Sequence, residues 1–216
     1  MGKVPGVAVM DKYFFMRRVL ELLHQPGFLN RLAAITLRAI AGFVVLLSLV
    51  TFFKVGKVIF GLPPSGILGG VLFLVSYILA IYAVVHTLII RAREATKIVG
   101  SEFSTFPLVA VLLKTFGEVF AAFVSLAALG GGMYVWFTGK SVATILDPMQ
   151  RLMPVFGDAT FLGGMQFIIG GVLSALVVLI VSYALSEVVT LLSEAKRRLR
   201  ETERVTEHSF KFRSGT

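Results

Sequence analysis

Residues 161–190, FLGGMQFIIGGVLSALVVLIVSYALSEVVT, decide how this chain folds. The run is continuously apolar and meets its first charge only at Glu187, near its end. About 20 mostly apolar residues suffice to cross the hydrocarbon core of a bilayer as a helix. The apolar residues are consecutive rather than alternating, so a helix and not a barrel strand satisfies the backbone N–H and C=O groups inside lipid. Working back along the chain, residues 39–60, 66–90 and 115–137 have the same character. The expected fold is therefore all-α, a polytopic membrane protein with four transmembrane helices.

The composition agrees. Hydrophobic residues make up 56% of the 216, above the ~45–50% of soluble domains, and the mean hydropathy is +0.88. Residues 1–10 (MGKVPGVAVM) lack a long apolar stretch followed by a small-residue cleavage site, so no signal peptide is expected. The absence of cysteine excludes disulfides, thiolate metal sites and cysteine nucleophiles.

A faint internal repeat pairs the helices. Residues 32–38 (LAAITLR) align with 108–114 (LVAVLLK), each an apolar run closed by one basic residue. Leu68-Gly69-Gly70 aligns with Leu162-Gly163-Gly164, and residues 82–97 with 182–197, placing Glu94-Ala95 on Glu194-Ala195. The chain thus reads as two tandem hairpins related by an axis along the membrane normal, because an even number of spans per copy preserves orientation. Four segments follow: a cytoplasmic N-terminal segment (1–30), a first hairpin (31–98), a second hairpin (99–195) with an external loop at 138–160, and a basic tail (196–216).

The net charge of +9 raises the question of nucleic acid, and its distribution answers it. With both termini on one side, only Lys54, Lys57, Lys140 and Arg151 fall on the other; the remaining 17 of 21 Lys and Arg share the side of the termini. The positive-inside rule makes that side cytoplasmic, as for a multi-pass protein of the plasma (inner) membrane. Anionic lipid headgroups are the expected partner of these charges. Nucleic acid is not, for no recognition motif accompanies them.

Residues 11–25 (DKYFFMRRVLELLHQ) predict an amphipathic helix lying in the cytoplasmic interface. Tyr13, Phe14, Met16, Val19, Leu20 and Leu23 share one face, and Pro26-Gly27 stops it. Gly61 to Gly66 form a Pro/Gly turn between the first two spans. Gly100-Ser101 breaks the next connection, after which Pro107 opens the third helix, with Leu108 as its start. The apolar stretch at 145–156 in the external loop suggests a short re-entrant or interfacial helix. The last helix should continue past the membrane over 193–205 (SEAKRRLRETERV), with 207–216 frayed.

Ionisable groups inside hydrocarbon are costly, about 2.5–3.5 kcal/mol each at the bilayer centre on insertion scales, and so nominate sites. Here His86, Glu118 and Glu187 lie at the cytoplasmic edge and form the candidate ion or proton site; Lys114 and Glu118, one turn apart, can neutralise each other. None is mid-membrane, which favours an interfacial, structural role. No cofactor is expected: a bis-His haem needs two facing imidazoles, and only His86 lies within a span. No His-x-x-x-His, carboxylate cluster, nucleophile elbow or phosphate-binding loop is present.

Small residues supply the packing signal. Gly163, Gly164, Gly170, Gly171, Ser174 and Ala175 stripe the last span, and Ala121/Ser125 and Ala128/Gly132 the third, at the spacing that lets helix backbones approach. Phe43, Phe52, Phe53, Phe73, Phe120 and Phe123 are assigned to lipid. These features suggest a non-enzymatic accessory or scaffold subunit of a larger membrane complex, partnered by other membrane subunits or by its own copies. The alternatives are a small oligomeric channel or transporter using the cytoplasm-edge site, and a lipid-acting enzyme using His86 and Glu187.

Overall fold

The computed structural model describes residues 27–98, 105–142 and 159–213. It comprises four α-helices: α1 (Phe28–Phe60), α2 (Pro64–Lys97), α3 (Thr105–Thr138) and α4 (Phe161–Arg213). All four are long and apolar enough to cross a membrane. The amphipathic helix at 11–25, the break at Gly100-Ser101 and the apolar stretch at 145–156 lie outside the described residues.

Local chemistry sets most helix ends. Gly27 precedes α1 at φ 84°, a left-handed conformation that costs glycine little. Between α1 and α2 the N–H of Leu62 donates to the Ile59 carbonyl (3.0 Å), and those of Gly66 and Ile67 to the Pro63 carbonyl. Pro64 then occupies the first helical position, where its missing N–H costs nothing. The helix α3 starts at Thr105, three residues before the expected Leu108, and keeps Pro107 in its first turn. That position is tolerated because the first four N–H groups of a helix have no internal acceptor. Gly139, at φ 62°, ends α3 and donates to the Val135 carbonyl. Thr160 caps α4: its hydroxyl accepts from the Gly163 N–H at 3.0 Å. The 53 residues of α4 correspond to about 80 Å of helix, far more than the ~30 Å of hydrocarbon. The helix runs to Arg213, into the stretch from residue 207 expected to fray; residues 214–216 lie outside the described residues.

Each helix packs on its neighbour in sequence, α1 on α2, α2 on α3 and α3 on α4. One apolar cluster gathers Ala34, Leu37 and Ala41 of α1 with Val84, Leu88, Ala92 and Ala95 of α2 and Leu108 of α3. It lies at the end where α2 stops and α3 begins, termed here the basic end. A second cluster, at the opposite end, joins Val55 and Ile59 to Phe73, Leu74, Tyr134 and Val135. The middle helices are more enclosed than the outer ones. The outer surfaces of α1 and α4 display Phe43, Leu46, Leu173, Val177 and Ile180, among others.

One assignment is corrected here. Phe73 does not face lipid: it is 2% exposed, with its ring edge-on to Tyr134 at 6.2 Å. The cause is Gly130 on α3, where a side chain would collide with Ser76 and approach the Phe73 backbone. The resulting close approach of α2 to α3 drives Phe73 into the seam. Phe43 and Phe53 are exposed, whereas Phe52, Phe120 and Phe123 are half-buried.

Candidate functional site

A cluster of polar side chains ties three helices together at the basic end. On α2 the buried stripe Tyr77, Ala80, Val84, Leu88, Ala92, Ala95 follows helical spacing, and Arg91 lies one turn beyond Leu88, beside it. On α3 Gly117 has no side chain, and an added Cβ would stand 2.5 Å from the Ser182 Cβ of α4. That absence brings α4 close, so that Tyr183, next to Ser182, reaches Glu118.

The result is a three-helix junction. Arg91 grips Glu118 with two nitrogens: Nε donates to Oε2 at 2.9 Å, and Nη2 donates to Oε1. The Tyr183 hydroxyl donates to the same Oε1 and lies 3.5 Å from Arg91 Nη2. The remaining Arg91 nitrogen, Nη1, donates to Glu94 one turn along α2. The Arg91 and Glu118 side chains are only 16% and 22% exposed. Lys114 Nζ stands 5.6 Å from the Tyr183 ring centre, a cation–π arrangement. Lys114 and Glu118 attract each other as expected, but the hydrogen bonds of Glu118 go to Arg91, whose planar guanidinium matches both carboxylate oxygens. Two cations and two carboxylates balance one another, and both oxygens of Glu118 are occupied. Such an arrangement fixes helices and neutralises charge near hydrocarbon.

The three residues of the candidate ion site are not brought together. His86 lies on the exposed side of α2, stacked on Tyr82 with ring centres 5.7 Å apart. Glu187 is exposed on α4, beside the fully buried Ser186. Among the described residues no hydrogen bond or ion pair links Glu118 to either. Nor do three His, Asp or Glu side chains among them stand close enough to share a metal ion.

The small-residue stripes divide by face. On α4, Gly164 lies against Trp136 and the Gly132 carbonyl, and Gly171 against Ala128. Ala175 is 2% exposed. Gly163 is buried, Gly170 half-buried and Ser174 exposed, its hydroxyl turned back to the Gly171 carbonyl. On α3, Ala121 and Ser125 are half-buried, and the Ser125 hydroxyl is bonded to the Ala121 carbonyl. Sequence reasoning missed Gly117, Gly130 and Gly131, which meet Ser182, Ser76 and Phe167. The run Gly130-Gly131-Gly132 was the available signal, since consecutive helical positions present bare backbone to more than one neighbour. It also missed Asn30, 2% exposed, whose amide donates to the Ile98 carbonyl and ties the start of α1 to the end of α2. Comparison with protein-family models, curated proteins and solved structures found no match to this chain.

Proposed function

We propose that the chain is a non-enzymatic accessory or scaffold subunit of a larger assembly in the plasma (inner) membrane. The observation that carries this reading is the surface of α4. Only a narrow stripe of it meets α3, leaving Leu173, Val177, Ile180 and Leu185 exposed. The same helix then continues past the apolar run as a charged rod with Lys196, Arg197, Arg198 and Arg200 exposed. Lipid covers such an apolar face on its own, so it is the charged stalk beyond the apolar run that supports docking by partner subunits. The Arg91–Glu118–Tyr183 junction supports the same reading, because its carboxylate is committed to holding helices.

In this reading both termini are cytoplasmic, residues 11–25 lie at the interface, and the helices are two tandem hairpins. A matching contact supports the hairpins: Gly70 of α2 receives Ile59 of α1, and Gly164 of α4 receives Trp136 of α3. Both contacts are close to the connection of their pair. Orientation is tested with single cysteines in this cysteine-free chain. A membrane-impermeant thiol reagent should label Ser65→Cys and Ser141→Cys on intact cells, and Ser101→Cys and Ser214→Cys only after lysis. External labelling at residue 214 would reverse the topology.

Purification in mild detergent tests the function. A discrete set of subunits co-purifying at fixed stoichiometry is expected. The rival, an oligomeric channel or transporter working through His86 and Glu187, predicts ion or proton flux in reconstituted vesicles. That flux should disappear in the His86→Gln/Glu187→Gln double variant, since amides do not exchange a proton near neutral pH. Flux with this dependence from a lone homo-oligomer would replace the scaffold reading.

A further inference from the structure

The side of α4 that packs on α3 runs on past the point where α3 begins. Within the bundle that side carries Ala175, Ser182 and Ser186, which are 2%, 5% and 0% exposed. The two helices still touch in the first turn of α3, where Lys196 Nζ stands 5.7 Å from the Phe106 ring centre. Beyond it α4 continues as helix to Arg213, whereas α3 goes no further than Thr105.

Counted at about 100° per residue, Arg197, Arg200, Arg204, His208 and Lys211 fall within an arc of about 80°, the same arc that holds Ala175, Ser182 and Ser186. The four acidic residues of the stalk, Glu194, Glu201, Glu203 and Glu207, all fall outside it. So do Arg198 and Arg213, and Arg198 is already paired with Glu194 at 2.7 Å. A line of basic positions therefore extends the α3–α4 seam where α3 itself is absent.

Distance separates this line from the bilayer. Glu187 is the first charge after the apolar run; position 197 lies about 15 Å further along the axis and position 211 about 36 Å. The headgroup layer is about 5–8 Å deep on each side, and screening at physiological salt has a length of about 8 Å. Between residues 172 and 213 α4 contains neither proline nor glycine, the usual causes of a sharp kink. An unkinked helix at the usual tilt of about 20° carries the line away from anionic lipid.

We propose that this line docks an acidic helix of a partner protein, laid along α4 below the start of α3. The inference rests on the scaffold reading and gives the partner its chemistry. The basic positions step by three, four, four and three residues, so a helix with Asp or Glu at the same steps presents carboxylates at matching rises. Guanidinium groups suit them, since each can grip both oxygens of a carboxylate. A second copy of the stalk does not fit, because residues 193–213 hold seven Lys and Arg against four Glu and would repel their like. Nor do residues 1–26, where Lys3, Lys12, Arg17 and Arg18 outnumber Asp11 and Glu21.

The test places the full chain in nanodiscs of phosphatidylcholine alone and reads, by anisotropy, the binding of a fluorescein-labelled helical peptide with Glu at these steps. Arg197→Glu/Arg204→Glu should weaken binding at least about tenfold, and Arg198→Glu/Arg213→Glu, an equal change of net charge off the line, less than about twofold. Equal losses would reduce the stalk to diffuse positive charge and overturn the proposal. Equal affinity of the wild type for a scrambled peptide of the same composition would also overturn it, whatever the folding of the variants. A fluorophore at Ser209→Cys, quenched by headgroup-spin-labelled lipid in discs containing phosphatidylglycerol, would lay the stalk on the membrane and assign the line to lipid instead. Subunits that co-purify undiminished with Arg197→Glu/Arg204→Glu would keep the scaffold reading and overturn this docking line. Face-selective peptide binding by a chain that purifies with no subunit would uphold the line and remove the scaffold reading.

Discussion

Gly171→Leu will separate α3 from α4, while Ser174→Leu, one turn further along the same helix, will be tolerated. A Cβ at position 171 would lie 2.2 Å from the Ala128 Cβ, far inside van der Waals contact. Alanine has no torsion through which to move aside, so the two backbones must part. Parting them also loosens the neighbouring contacts of Gly164 with Gly132 and Trp136. Overpacking typically costs ~1–3 kcal/mol, and the absence of a rotameric escape puts this case at the upper end. Ser174 is exposed and bonds only back to its own helix; leucine there adds apolar surface that lipid accepts. Phe43→Leu, on the exposed face of α1, is a second control and should move stability by less than ~0.5 kcal/mol. Thermal unfolding in detergent, followed with size-exclusion profiles, reads all three. Equal tolerance at 171 and 174 would mean that α4 turns a different face to α3.

The contrast between those two positions shows what this sequence can and cannot say. Spans are legible because a bilayer imposes a length and an apolar composition that residues 161–190 meet openly. The face each span turns inward is not, because inside lipid the exterior is as apolar as the interior and periodicity fades. Phe73 illustrates the loss: as a residue it suits lipid, and only Gly130 on another helix puts it in the seam. The small-residue spacing located the α3–α4 contact at Gly171 and Ala128 but also nominated Gly170 and Ser174, since both registers look alike in one dimension. The basic end fails for a different reason. The i,i+4 rule finds partners on one helix, so it offered Lys114 to Glu118. A partner on α2 is visible only once Gly117 has let α4 in and the three helices share a corner.

The same corner supplies the second large effect. Arg91→Met leaves the Glu118 carboxylate with the Tyr183 hydroxyl and the unbonded charge of Lys114, and Glu118→Met leaves the guanidinium with the more exposed Glu94. Removing one member of a buried ion pair costs ~3–5 kcal/mol because the other remains desolvated. Here the partial exposure of both side chains, 16% and 22%, places the loss toward the lower end. The double variant Arg91→Met/Glu118→Met removes both charges and fills the space with apolar atoms, so it should be milder than the sum of the singles. A coupling above ~1 kcal/mol in the double-mutant cycle is expected. Tyr183→Phe deletes one hydrogen bond to a carboxylate and should cost ~1.5–3 kcal/mol. Lys114→Met deletes a cation–π contact, worth ~0.5–1 kcal/mol at exposed sites, and an attraction to Glu118 that no hydrogen bond reinforces. Thermal unfolding of the five variants orders these losses. If Lys114→Met proved as damaging as Arg91→Met, and coupled more strongly to Glu118, the carboxylate's partner would be its own helix neighbour and the three-helix junction would dissolve as an account of this fold.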